Sequence, residues 1–128
     1  VPADQECSPD KRETTHGIWV TPEQGLAANL RGEIPLSPPT LVTLQELLQH
    51  KTLNELQDDV GRRGWGDPRL PRVLPVEKGA VILEPWDPMI HEKEVKFDLA
   101  SLKKRVLPVG EPFSRLWLYE GIWRPVAV

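Results

Sequence analysis

The stretch Gly17–Thr43, "GIWVTPEQGLAANLRGEIPLSPPTLVT", contains two helix starts and one helix stop within 27 residues. Thr21 is an N-cap candidate, with Pro22 in the first helical position, Glu23 in the first turn and Gln24 where a capping box takes Glu or Gln. Leu26, Ala27 and Leu30 mark an apolar face, and Gly32 supplies the stop. "EIPLSPPT" is then held extended, because residues before proline avoid the helical region. Pro39 or Thr40 opens a second helix, in which Leu41, Leu44, Leu47 and Leu48 recur at helical spacing. A third helix is expected from Leu53 to Val60, ending at Gly61, behind the capping-box pattern "TLNE" at Thr52–Glu55. The first half of the chain is therefore made of short, punctuated helices.

Working outward, residues 1–12 are polar and turn-rich and read as a loop, and Thr14–Val20 reads as a short strand. "GRRGWGDPRLP" allows no regular element. Beyond it the pattern changes. Arg72–Pro75 and Ala80–Leu83 read as strands, "EPWDP" as a turn, and Val95–Phe97 as a strand. Ser114–Tyr119 and Ile122–Val126 alternate around Glu120-Gly121, a two-residue link suited to a tight hairpin. Leu116 and Leu118 fall on one side, Arg115, Trp117 and Tyr119 on the other. The expectation is an α+β unit in 1–128, with a strand and short helices over 1–61 and a β-rich half over 62–128.

Composition sets the functional bounds. The chain has 128 residues, 39 % hydrophobic and 27 % charged, enough for a buried core. Its 14 prolines are about twice the usual ~5 % and scattered, so they punctuate elements rather than form a polyproline tract. A net charge of −3 argues against a nucleic-acid module. The basic run Lys103-Lys104-Arg105 reads as a solvated helix end. No membrane span or signal peptide is present, and Cys7 is the single cysteine, so the cytoplasm is the simplest compartment.

Chemistry-bearing motifs are sparse. His16, His50 and His91 lack metal-ligand spacing, and "HEKE" at His91–Glu94 reads as a solvated loop. Cys7 has no nearby histidine to activate it. Arg62 and Arg63 could grip a phosphate but sit in an exposed loop, and Asp58-Asp59 lies at a helix end facing water. Glu13, just before the expected strand, is better placed for catalysis. The five tryptophans are expected mainly in the core, with Trp86, in a turn, the best candidate for a ring-stacking platform.

Arg12–Leu48, "RETTHGIWVTPEQGLAANLRGEIPLSPPTLVTLQELL", resembles the region that follows the catalytic helix of Nudix hydrolases, in the branch that holds the coenzyme A diphosphatases. Glu13, Trp19, Pro22, Leu26, Gly32, Glu33, Pro38, Pro39, Thr40, Thr43, Leu44 and Leu47 carry the match. "LEPWDP" at Leu83–Pro88 and "RLWLYEGIWRPV" at Arg115–Val126 resemble that branch more loosely. The resemblance implies the C-terminal part of an α/β/α sandwich and hydrolysis of a nucleoside diphosphate linked to another moiety, using Mg2+ or Mn2+ held by "RExxEE". That box is absent, so this chain alone is expected to bind no metal and to be inactive. It would shape the substrate pocket beside a missing N-terminal Nudix segment or a second copy of the chain. By the same resemblance Glu13 is the accessory catalytic candidate; His16, which departs from the acidic or small residue of that branch, and the turn residue Trp86 are the substrate-binding candidates. Neither nucleic acid nor membrane is an expected partner. The alternatives are a box-less binding or assembly module, using the apolar helix Leu41–Leu48 and the hairpin as contact faces, and an unrelated domain whose capped helices mimic the pattern.

Overall fold

A computed structural model describes residues 3–14 and 16–128. Its elements run α1 (Pro22–Leu30), α2 (Pro38–Leu48), α3 (Leu53–Arg62), β1 (Arg72–Val76), β2 (Gly79–Leu83), α4 (Leu99–Lys104), β3 (Arg115–Tyr119) and β4 (Ile122–Val126). The strands form an antiparallel sheet in the order β1-β2-β3-β4. The chain is a mixed α+β protein, helical first and β-rich later.

The helices begin where the chain offers their free N–H groups a partner. Thr21 Oγ1 accepts from the Gln24 N–H at 3.2 Å, and Gln24 Oε1 accepts from the Thr21 N–H at 3.0 Å, closing the capping box of α1. Gly32, at φ 75°, takes the left-handed turn that ends the helix. α2 starts one residue earlier than expected, at Pro38 behind Ser37, because both prolines suit the first helical turn, where no N–H is needed. At α3 the box is only half formed: Thr52 Oγ1 accepts from the Glu55 N–H at 3.1 Å, but Glu55 turns back to the Lys51 N–H at 2.8 Å.

Both faces of the sheet are covered. Ile82 on β2 stands opposite Leu116 on β3, which stands opposite Pro125 on β4, on the face under α1 and α2. Leu26, Leu41, Ile82, Phe113 and Leu116 form the core there, with Leu44, Leu48 and Trp123 against it. On the other face Val81, Leu83, Trp117 and Val126 meet Leu102 of α4 and the Met89, Ile90, Val95 and Phe97 side chains of the β2–β3 connection. The alternation of the hairpin thus sorts Leu116 and Trp117 into opposite cores, as the period of two requires.

Two backbone positions make the sheet possible. The β3–β4 turn has both Glu120 (φ 52°) and Gly121 (φ 76°) in the left-handed region, the pairing that matches the right-handed twist of a hairpin. At Gly79 a Cβ would lie 1.9 Å from the Leu118 carbonyl oxygen, so a side chain there would push β2 off β3. The outer edge of β4 is occupied by residues 105–107, through Leu107 N–H to Pro125 O and Ala127 N–H to Arg105 O. β1 carries Pro75, which fits its edge position.

Asn29 ties the helices to the sheet. It is fully buried, its Nδ2 donates to the Trp123 carbonyl at 2.8 Å, and its Oδ1 accepts from the Leu36 N–H at 3.0 Å. The apolar periodicity of α1 expects Ala27 on the buried side, whereas the helix buries Gly25, Leu26, Ala28 and Asn29.

Other expectations are corrected here. Thr14 and His16–Val20 form no strand, and Trp19 is 70 % exposed; Thr15 lies outside the described residues. β-branched residues favour a pleated surface only when a neighbouring strand supplies the ladder, and among the described residues none lies beside this segment. Val95–Phe97 is also not a strand: Val95 and Phe97 are half-buried against the second core, and Asp98 then caps α4 by accepting from the Ser101 N–H at 2.8 Å. The tryptophans are not mainly core residues. Trp117 is buried and Trp123 packs against the core, but Trp19, Trp65 and Trp86 are exposed. Leu41 of α2 and Leu116 and Val126 of the hairpin are buried in the two cores, and Leu44 and Leu48 are half-buried against the first. No helix of the described residues is long and apolar enough to cross a membrane.

Candidate functional site

The "EPWDP" turn is the best-anchored irregular segment of the chain. Its carboxylate Asp87 is 2 % exposed and receives four hydrogen bonds: from Ser114 Oγ at 2.6 Å, Arg115 Nε at 2.7 Å, Arg115 Nη2 at 3.1 Å and the Met89 N–H at 2.8 Å. Burial alone would push this carboxyl up, but the hydrogen bonds from Arg115, Ser114 and Met89 outweigh it and hold Asp87 below the usual range. Glu84 N–H donates to the Ser114 carbonyl at 2.8 Å, and Trp86 Nε1 donates to the Phe113 carbonyl at 2.9 Å. Residues 84–87 are thereby fixed to 113–115 from both ends, which sets the direction of the Glu84 and Trp86 side chains.

Those two side chains line a pair of adjoining hollows along α2. The first, about 280 Å3, has Val42, Trp86, Pro112 and Phe113 as apolar walls and Gln45, Glu46, Gln49, His50, Asp59, Arg63 and Arg69 as polar groups. The second, about 410 Å3, lies at the start of α2 between Pro38, Pro39, Val42, Thr43, Pro71, Ile82, Arg69 and Glu84. Val42 and Arg69 line both, so the two join into one groove. Their volumes lie around the lower end of the range of small-molecule sites.

Arg69 occupies the junction. Its guanidinium is paired with Glu46 and lies over the Trp86 ring, 5.3 Å from the centroid. At the α3 end Asp59 joins Arg63 at 3.2 Å and His50 Nε2 at 3.1 Å, while His50 Nδ1 lies 3.2 Å from the Glu46 carbonyl. Opposite charges along this wall are thus largely matched. Glu84 is 5 % exposed as a residue, but its carboxyl oxygens keep contact with solvent in the hollow; among the described residues the fully buried side-chain polar atom without a partner is Trp117 Nε1. Burial pushes its carboxyl up, and Arg69 offsets this only in part.

The residues singled out from the sequence are not brought together. Trp86 lies in the groove and is 47 % exposed, with the Arg69 guanidinium over its ring. His16 lines a different hollow, in the N-terminal loop with Cys7, Pro9, Ile18 and Trp19. Glu13 is exposed in that loop, where its N–H donates to Asp10 Oδ1 at 3.1 Å. Asp10 also accepts from the Arg12 and Thr14 N–H groups, and these bonds, those from Thr14 and Arg12 foremost, hold its carboxyl below the usual range. Among the described residues no group of three His, Cys, Asp or Glu side chains converges.

Sequence reasoning missed Glu46, Arg69 and Glu84. A signal for Glu84 existed: it ends the apolar run "AVIL" and precedes a proline, which places a carboxyl at the mouth of a buried strand. Arg69 had none, since its position depends on how the irregular segment 63–71 folds back over α2. Comparison with protein-family models, with characterised proteins and with solved structures finds no match to this chain.

Proposed function

We propose that this chain is the substrate-facing part of a Nudix-type diphosphatase, binding a nucleoside diphosphate linked to another moiety in the groove along α2. The single observation that carries the reading is a convergence. The double-proline start of α2 and the "LEPWDP" turn, two segments behind the resemblance, are more than forty residues apart and line the same groove. Trp86 offers a half-exposed ring, and Arg63 and Arg69 are the cations within reach of an anionic group. Both arginines are already paired with carboxylates, so a diphosphate must displace Glu46 or Asp59 to be gripped. Mg2+ or Mn2+ would be held by glutamates outside residues 1–128, and no step through the metal is assigned to residues of this chain. A second copy could supply the missing cover, and a cytoplasmic setting accords with the single free cysteine, Cys7.

Equilibrium dialysis of the purified chain against ADP-ribose, with AMP as control, tests this. Saturable binding is expected, with ADP-ribose tighter than AMP, and weakened at least about tenfold by Arg69→Ala or Trp86→Ala, the loss of one charged or stacking contact. Absence of saturable binding at millimolar concentration, or equal affinity in Arg69→Ala, would sink the proposal.

A further inference from the structure

We infer that His50 is a proton-operated clamp: its doubly protonated ring ties α3 to the end of α2, and loss of one proton releases α3 and opens the groove at that end. The clamp involves no ligand and is independent of the nucleotide reading.

Both ring nitrogens of His50 face acceptors. Nδ1 lies 3.2 Å from the Glu46 carbonyl oxygen, and Nε2 lies 3.1 Å from Asp59 Oδ2. Neither partner can donate: a carbonyl has no proton, and Asp59 Oδ2 is the carboxylate oxygen that Arg63 Nη2 also approaches, at 3.2 Å. A neutral imidazole carries one N–H and one lone pair, so it serves only one of these acceptors. With the proton on Nδ1, the Nε2 lone pair is turned on the carboxylate. With the proton on Nε2, the Nδ1 lone pair is turned on the carbonyl, and the ring must rotate and draw Nε2 away from Asp59. Only the imidazolium makes both bonds. His50 follows Gln49, the C-cap of α2, so the cation also meets the carbonyl end of a helix that has no basic residue in its last turn. The other charged groups lining this hollow are Glu46 of α2, Arg63 beside α3 and Arg69, and none of them is a second histidine.

Little else holds α3 in place. None of its residues is buried: Leu56 and Asp59 are half-buried, while Leu53 and Val60 are 67 % and 55 % exposed. Among the described residues its other side-chain hydrogen bonds and ion pairs are local. Thr52 and Lys51 meet Glu55, Arg62 meets the Asp58 carbonyl, and Arg63 meets Asp59. The His50–Asp59 bond is therefore the polar tie between α3 and the end of α2. A helix of ten residues is marginal in water without tertiary contacts, so losing that tie frays it away from the body. Asp59 and Arg63 line the hollow of about 280 Å3, and they leave its wall when α3 does. The tie is complete below the range in which histidine titrates and is lost as pH rises through it.

The test is hydrogen exchange of the purified chain at pH 6 and pH 8, read by NMR at each amide and referred to the intrinsic exchange rate at that pH. Protection of the Leu56–Arg63 amides is expected to be at least about threefold higher at pH 6, within the range for a partly exposed charged pair, with α1 and α2 unchanged. His50→Gln, neutral at both pH values, should show the wild-type pH 8 level at both. Asp59→Asn, whose amide can meet either form of the ring, should remove the pH difference and carries the test if His50→Gln does not fold by circular dichroism. Equal protection at the two pH values in the wild type, or a difference that survives either substitution, would overturn the inference. A loss of protection at pH 8 shared by α1 and α2 would overturn it too, because the whole fold rather than α3 would then be responding.

Discussion

Replacing Arg115 by methionine removes two of the four hydrogen bonds that Asp87 accepts, those from Nε at 2.7 Å and Nη2 at 3.1 Å, and the guanidinium over the Phe97 ring, while keeping an unbranched aliphatic side chain. Each is a bond to a charged group in a site 2 % exposed, worth about 1.5–3 kcal/mol. Together they place the loss at about 3–5 kcal/mol, the range for a buried pair broken on one side. In the wild type the Asp87 carboxyl lies below its ordinary 3.8, so its contribution is fully present above that pH and is lost as pH falls through the lower folded value. In the variant burial is no longer opposed by the guanidinium, the folded carboxyl moves up, and the sign reverses: the penalty grows as pH rises. Urea unfolding at pH 5 and pH 8, followed by circular dichroism, measures this. A loss below about 1 kcal/mol at pH 8, or a penalty that does not change between the two pH values, would refute the account. The double variant Asp87→Leu/Arg115→Met, which leaves no buried charge, should recover about 1 kcal/mol or more over Arg115→Met alone. The turn itself is at stake, because Glu84 and Trp86 hang from it.

Asn29→Ala leaves the Trp123 carbonyl and the Leu36 N–H without partners under α1, and the expected loss in urea unfolding is about 2–4 kcal/mol; less than 1 kcal/mol would mean that water replaces the amide. Glu84→Gln removes a carboxyl raised above its ordinary 4.5 by burial. Such a group stabilises the fold when protonated and loses that contribution as pH rises through its folded value, so the variant should match the wild type near pH 4 and exceed its melting temperature at pH 8. An equal difference at both pH values would show that the carboxyl does not titrate in the groove.

Much of the fold could be read from residues that act on their nearest neighbours. Thr21 with Gln24, Pro38 with Pro39, Gly32, and Glu120 with Gly121 each fix a start, stop or turn within a few residues, so their effect is visible in the chain itself. The hairpin alternation likewise assigned Leu116 and Trp117 to opposite faces. Where the same reasoning failed, at Thr14–Val20 and Val95–Phe97, a strand-like pattern lacked a neighbouring strand, and pairing is a property of the sheet rather than of the segment. The groove was the least legible feature. Trp86 was found because a turn tryptophan stands out, but Glu84 joined the groove only when β2 delivered it beside α2 and Asp87 locked the turn against Arg115. Arg69, in an irregular segment, reached Glu46 and Trp86 by a path that no local pattern records. The sequence by itself determined α1 to α3, the hairpin and the mixed α+β class, but not α4, since capping, proline geometry and periodicity are short-range effects. Which polar groups end buried, and which of them lacks a partner, was decided only by tertiary structure, because burial and pairing depend on segments far apart in the chain meeting across the sheet.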